Sequence, residues 1–372
     1  VRQTFALRHR FAGLALGLIA GLASAASAGA AAAGAAPEAD YAKRPQARAM
    51  IDSLGAKGLD KARLRELLND AKRQDAILTA IARPAERTLD WARYQKIFLQ
   101  ESRVQKGVAF ARQHRDALDR AERQYGVPRE IILAIIGVET LYGQHKGQYR
   151  VLDALATLGF DYPPRGEFFR KQLMALFELE REAHIDASEI TGSYAGAMGY
   201  PQFIPTSYQA YAVDFDGDDV IDLVNSPADA IGSVAHYFHE HRWQPGLPVA
   251  ARARINGNGY QALAKKGYKP SFTLDDARKN GVVAVSCDSD TLGSQYCFDL
   301  AANTPVALLD LTGTDGHEFW LITDNFYVIT RYNHSELYAM AVLQLSKRLA
   351  EALAASPPPP APATDATRGV AR

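Results

Sequence analysis

The chain has 372 residues, 47% of them hydrophobic and 23% charged, a balance that suits one large or two modest soluble cores. Lys plus Arg and Asp plus Glu each number 42, so the formal net charge is zero and no global basic field invites nucleic acid. Without a Walker loop, a dinucleotide fingerprint or a Gly-x-Ser-x-Gly elbow, the sequence also lacks the common signatures of nucleotide enzymes and serine hydrolases.

At the N-terminus Arg2, Arg8 and Arg10 flank an apolar run from Phe11 to Leu22. Ala23-Ser24-Ala25 and Ala26-Ser27-Ala28 then offer the small-x-small pattern that a signal peptidase reads. The run is shorter than the roughly 20 residues of a membrane span, so residues 1–28 read as a cleaved signal peptide, with a retained anchor as the other reading. No Cys lies near the cleavage region, so the expectation is a periplasmic protein rather than a lipoprotein. Residues 29–40, mostly Ala and Gly, read as a linker.

Residues 41–125 form an N-terminal helical region. Ile51, Leu54, Leu59, Leu64, Leu67 and Leu68 recur at roughly helical spacing, as do Trp91, Tyr94, Ile97 and Phe98. Residues 126–244 hold two further helical blocks, from Pro128 to about His184 and from Ser226 to His241. Past Pro245 come short runs rich in β-formers: Leu247–Ile255, Val282–Cys287, Pro305–Leu311, Glu318–Thr323 and Phe326–Thr330. They predict a small antiparallel β-region over about 245–324. Residues 325–355 return to the core and end in an amphipathic helix, Ser335 to Ala354. The Pro/Ala-rich tail, 356–372, reads as low-complexity and disordered. The fold class is α+β, mainly α.

Pro128 suits the first turn of a helix. The run Ile131 to Tyr142 is apolar on every side, so that helix should be buried, and Gly143 is its natural stop. Glu139 is the lone carboxyl in that run. Burial and the negative end of the helix dipole both disfavour its charged form, which should raise its pKa. An acid kept protonated near neutral pH is what cleavage of a glycosidic bond requires. Position alone leaves a structural ion pair equally open.

The run Gly137-Val138-Glu139-Thr140-Leu141-Tyr142-Gly143 resembles the catalytic motif of the lytic murein transglycosylase B family. Ser193-Tyr194-Ala195-Gly196-Ala197-Met198-Gly199-Tyr200-Pro201-Gln202-Phe203 is similar to that family's second signature. Arg331-Tyr332-Asn333-His334-Ser335, followed by Tyr338-Ala339-Met340-Ala341-Val342, resembles the third. The likeness runs in consistent order from about Tyr41 to Leu349 and implies a lysozyme-like helical core. It implies cleavage of the bond between N-acetylmuramic acid and N-acetylglucosamine in peptidoglycan, with Glu139 as sole acid and then base and a 1,6-anhydro product. It further implies that Ser193 bonds and orients Glu139, and that Gln202 and Asn333 bind sugar groups. Tyr94, Tyr237, Tyr332 and Tyr338 would line the groove, while Gly196, Met198 and Gly199 would form the backbone beside the glycan. A hydrolytic muramidase and a non-catalytic glycan- or Ca²⁺-binding scaffold are the competing readings. A monomer acting beside other cell-wall enzymes, with no organic cofactor, is expected.

Asp214, Asp216 and Asp218 occupy positions 1, 3 and 5 of an EF-hand-like loop, and the Val220 carbonyl would supply position 7. Two departures stand out: Asp219 replaces the usual Gly at position 6, and Asn225 replaces the closing Glu. The family resemblance implies closure by Asp229 instead, although Ser226-Pro227-Ala228-Asp229 also reads as a helix cap. A structural Ca²⁺ is the expectation. His236, His239 and His241 do not form a His-Glu-x-x-His frame and are not read as a zinc site. Cys287 and Cys297 have no His or Cys nearby to complete a zinc site, and in an oxidising periplasm they should pair.

Overall fold

Among the described residues, six α-helices fill the N-terminal region: Pro45–Ala56, Lys61–Asp70, Asp75–Ala82, Trp91–Phe98, Glu101–Gln113 and Arg115–Tyr125. Side-chain chemistry fixes several ends. Asp60 caps the second helix by accepting the Ala62 N–H, Asp90 caps the fourth through the Arg93 N–H, and Gly126 ends the sixth at φ 71°. This computed structural model describes residues 40–82, 89–183, 185–287, 296–297 and 299–355. The expected signal peptide, nearly all of the linker and the Pro-rich tail lie outside those residues.

Two helical cores form side by side. One gathers Tyr41, Leu54 and Leu67 with Val151–Asp161 and Gly166–Glu182, the helices that follow the first signature. The other gathers Trp91, Tyr94, the Arg129–Thr140 helix, part of Pro227–Glu240 and the C-terminal helix Glu336–Ala355. Tyr332 packs against both, so the third signature lies on the seam between them.

The predicted β-region is a five-stranded antiparallel sheet in the order Phe272–Thr273, Pro305–Gly313, Gly316–Ile322, Ala250–Ile255, Val282–Ala284. Successive side chains on a strand point to opposite faces. Along Pro305–Gly313, Ala307, Leu309 and Leu311 therefore join the second helical core, while Val306 and Leu308 join a separate small core with Leu263, Phe272 and Leu274. Burial on both faces explains why this strand reads as an almost unbroken apolar run. The second face is covered by two short helices that the sequence reading did not anticipate, Tyr260–Ala264 and Leu274–Lys279.

One expected strand is wrong. Phe326–Thr330 lies inside a helix, Asp324–Tyr332. Its β-branched and aromatic residues favour a strand, but the Thr323 side chain accepts the Asn325 N–H and nucleates a turn instead. Phe326, Ile329 and Thr330 then fall on one buried helical face.

Cys287 and Cys297 are joined by a disulfide across a sequence separation of 10. A ring that short should contribute about 2–3 kcal/mol through the unfolded chain. Reductant should therefore lower the unfolding midpoint of the protein. An unchanged midpoint, with both thiols shown to be free, would contradict that.

Candidate active site

The Arg129–Thr140 helix begins just after Pro128, which takes the cap position. Every residue from Ile131 to Thr140 is buried, and Glu139 is only 6% exposed. The helix stops at Thr140, three residues before the Gly expected to end it. Leu141, Tyr142 and Gly143 follow with φ of 51°, 60° and 84°, three left-handed residues in succession. The Leu141 N–H closes the end on the Gly137 carbonyl at 3.2 Å. Two of these residues carry side chains that disfavour the conformation. Packing compensates: the Tyr142 ring fills a slot between Gly107 and Gly137, where a Cβ at either position would collide with it.

Three hydrogen bonds tie the three signatures into a closed triangle. The Tyr338 hydroxyl donates to Glu139 Oε1 at 2.6 Å, joining the third signature to the first. The Tyr332 hydroxyl donates to the Pro201 carbonyl at 2.6 Å, joining the third to the second. The Thr140 hydroxyl, which accepts the Gly143 N–H at 3.0 Å, lies 3.1 Å from the Tyr200 carbonyl and 3.2 Å from that of Ile136, joining the first to the second. Burial, and next the charge of Glu139, push the phenols of Tyr332 and Tyr338 well above their ordinary pKa. Both therefore remain protonated donors at any working pH.

The structure redistributes several expected roles. Tyr338, expected only to line the groove, donates a hydrogen bond that orients Glu139. The described hydrogen bonds of the Ser193 hydroxyl lie within its own loop, where it accepts the N–H groups of Ala195 at 3.3 Å and Ala197 at 3.1 Å. Tyr237 is held by scaffold: its hydroxyl donates to the Arg331 carbonyl at 2.6 Å, and its ring stacks on His241 with centroids 4.0 Å apart. Tyr94 is buried against Trp91 and Phe98, and its phenol lies close enough to add to the upward push on Tyr338. Met198 is buried and bridges to Gly192 and Phe203, folding the second signature back on itself.

Gly196 and Gly199 take φ of 80° and 70°. A Cβ at Gly196 would meet Leu155, and one at Gly199 would meet the Leu223 carbonyl. Tight internal packing accounts for both glycines without any glycan contact. Gln202 has a left-handed φ of 50°, and its Nε2 donates to the carbonyls of Lys146 at 3.1 Å and Gly199 at 2.9 Å. Its buried Oε1 has no partner among the described residues, an acceptor left over for an N–H or O–H. Asn333 is buried at the end of the Asp324–Tyr332 helix, in extended backbone between Tyr332 and the turn into the last helix.

The acidic loop has the expected kernel. Oxygen atoms of Asp214, Asp216 and Asp218 lie within 4.8 Å of one another, and Asp219 accepts the left-handed turn at φ 67°. Three converging carboxylates repel unless a cation sits among them, so the donor set fits a hard divalent ion. Val220 has an exposed side chain, and its N–H donates to Asp218 Oδ1 at 2.9 Å. Asp229 does not join the cluster. Its Oδ1 accepts the N–H groups of Phe215 at 2.7 Å and Asp216 at 3.3 Å, and its Oδ2 accepts that of Asp222 at 2.7 Å. With both oxygens engaged by backbone amides, it closes the loop as a buried clasp. The Ser226 hydroxyl accepts the Asp229 N–H at 3.2 Å and donates to Asp216 Oδ2 at 2.7 Å, so the cap reading is right for the serine. His236 and His241 place Nδ1 at 2.9 Å and 2.8 Å from the carbonyls of Tyr211 and Tyr237.

A buried carboxyl bonded by a tyrosine, with the third signature on the seam of two helical cores, fits a lysozyme-like enzyme of the glycan-cleaving kind. Residues 42–347 match the Transglycosylase SLT domain family, and the chain belongs to that family. Membrane-bound lytic murein transglycosylase B of Escherichia coli (strain K12) is 42% identical over 321 residues, 84% of each chain. The crystal structure of soluble lytic transglycosylase SltB1 from Pseudomonas aeruginosa aligns with a TM-score of 0.77 at 45% identity, covering 83% of this chain and 100% of that one. The Escherichia coli lytic transglycosylase Slt35 in complex with calcium aligns with a TM-score of 0.72 at 41% identity, covering 84% and 95%. The chain is a lytic transglycosylase, and the scaffold and muramidase readings are not favoured.

Proposed function

We propose that the chain works in the periplasm and cuts the β-1,4 bond between N-acetylmuramic acid and N-acetylglucosamine, with Glu139 as acid and then base. The Tyr338 bond to Glu139 carries this reading: it joins the third signature to the sole carboxyl of the three, and the other two bonds of the triangle hold the signatures together around it. In the first half, protonated Glu139 gives its proton to the glycosidic oxygen, and the bond from that oxygen to C1 breaks. The substrate's acetamido oxygen covers the electron-poor C1. In the second half, the Glu139 carboxylate takes the proton of the muramic acid C6 hydroxyl, whose oxygen closes on C1. The products are a 1,6-anhydro end and a free N-acetylglucosamine end, and Glu139 is again protonated.

Tyr338 steadies the carboxylate formed between the two halves. Gln202 Oε1, a buried acceptor, suits a sugar acetamide N–H or a hydroxyl. Ser193 accepts two amides and keeps its own proton to donate toward the substrate or Glu139. Asn333, Tyr94, Tyr237 and Tyr332 complete the wall, and Gly196 and Met198 hold the loop behind it. No described helix is long and apolar enough to cross a membrane. Mass spectrometry of digested peptidoglycan sacculi tests the proposal. Anhydro ends without matching reducing muramic acid are expected, and abundant reducing muramic acid would overturn it.

Asp214, Asp216 and Asp218 would hold a structural Ca²⁺, a reading supported by the calcium complex of the Slt35 relative. Calcium should raise the thermal midpoint of the protein, by about 2.7 kcal/mol of added stability at a hundredfold excess over its dissociation constant. Asp216→Asn should remove most of that rise. An equal rise in the variant would place the ion elsewhere.

A further inference from the structure

Arg103 has no role in the chemistry described so far. It lies on the Glu101–Gln113 helix, half-buried, with Nε sealed from solvent and without a partner among the described residues. Among the described residues it has no carboxylate at ion-pair distance. Its Nη1 donates instead to the Gly137 carbonyl, and its Nη2 lies 3.4 Å from the Ile97 carbonyl. The guanidinium sits over the Phe98 ring, 5.3 Å from its centroid. A buried cation normally has a counter-charge. Here the guanidinium meets the C-terminal end of the Arg129–Thr140 helix, whose last carbonyls carry a partial negative charge.

We propose that Arg103 is a positioning residue for catalysis, a fixed positive charge that offsets the helix end and favours the ionised form of Glu139 when the glycosidic oxygen takes its proton. The geometry supports this in two ways. Gly137 is two residues before Glu139 in the same last turn, so the guanidinium is anchored to the segment that carries the acid. The bond also fixes the end of that segment, because the Gly137 carbonyl is the same one that accepts the Leu141 N–H of the left-handed cap. Burial holds the Arg103 pKa below its usual value, with Tyr142 opposing, yet a guanidinium starts so high that it stays charged.

The other groups facing Glu139 do not supply this charge. Tyr338 and Tyr332 approach from the C-terminal segments, and burial and the charge of Glu139 keep both as neutral phenols. The Pro227–Glu240 helix contributes Ile231, Val234, Ala235 and Phe238 to the shared core. The Arg115–Tyr125 helix brings Asp119 and Glu122, but these meet Arg129 at the opposite end of the acid helix.

The inference rests on Glu139 being the acid, which the loss of activity expected of Glu139→Gln would establish separately. Its test compares Arg103→Gln, which keeps a donor for the Gly137 carbonyl but no charge, with Arg103→Lys, which keeps the charge. Enzyme activity requires protonated Glu139, so the alkaline limb of the kcat/KM profile reports the loss of that proton. Arg103→Gln should move this limb up by about one pH unit and lower kcat about tenfold, with KM within twofold. Arg103→Lys should leave the limb near its wild-type position. Arg103→Met serves as a second neutral replacement if the Gln variant does not fold. A neutral variant that is folded, with limbs where the wild type has them, would overturn the proposal and leave Arg103 a structural cap. A Lys variant that shifts as far as the neutral one would overturn it equally.

Discussion

Glu139→Gln should lower the rate of sacculus cleavage about ten-thousand-fold and leave the protein folded. The amide matches the carboxyl in size, and its oxygen can still accept the Tyr338 hydroxyl, so the buried contact survives. What disappears is the proton that leaves in the first half of the reaction and returns in the second. General acid–base catalysis contributes about a hundred- to ten-thousand-fold in each step where it acts. In the proposed reaction Glu139 serves both steps, so the upper end of that range applies. Initial rates on purified sacculi, with circular dichroism to confirm the fold, check this. Retention of more than a tenth of wild-type activity in the folded variant would remove Glu139 from the central role.

Tyr338→Phe should lower kcat by about ten- to a hundredfold with little change in KM. A hydrogen bond to a charged group contributes about 1.5–3 kcal/mol, and this one is buried, where water replaces a lost hydroxyl poorly. The Tyr338 bond is strongest when Glu139 is ionised, which is the state between proton donation and recovery. Its loss therefore falls on the chemical steps more than on substrate binding. The phenol ring stays, so its packing beside Tyr332, with centroids 6.4 Å apart, is kept. Steady-state kinetics on soluble glycan fragments separate kcat from KM. A rise in KM at constant kcat would make Tyr338 a wall of the groove and nothing more.

Much of the fold was legible because its signals are local. The all-round apolar run at Ile131–Val138 announces a buried helix, and the Gly, Asn and Asp punctuation after Pro245 announces short strands. The helix at Asp324–Tyr332 was misread because Val328, Ile329 and Thr330 favour strands, and the capping bond at Thr323 that decides the matter depends on three-dimensional placement. The early stop of the acid helix was hidden for the same reason. Leu141 and Tyr142 enter left-handed backbone only because the Tyr142 ring has a slot between two glycines that lie 30 residues apart in sequence.

The candidate site divides along the same line. Glu139 could be singled out from its neighbours, since a lone carboxyl in an apolar helix is conspicuous. Its bond to Tyr338 spans 199 residues, and no periodicity connects the two. The family resemblance implied Asp229 as a ligand, whereas its oxygens accept three backbone amides that only the folded loop brings together. Arg103 carries no local signal at all, because an Arg on an amphipathic helix is ordinarily a solvated one.

The central claim is that one carboxyl acts twice and that the muramic acid's own hydroxyl, not water, closes on C1. Digestion of sacculi in oxygen-18 water, with mass analysis of the new glycan ends, tests it most directly. The expected result is anhydro ends with no heavy oxygen, formed by the wild type and absent with Glu139→Gln. Heavy oxygen at C1 of new reducing muramic acid ends, as the main product, would contradict it.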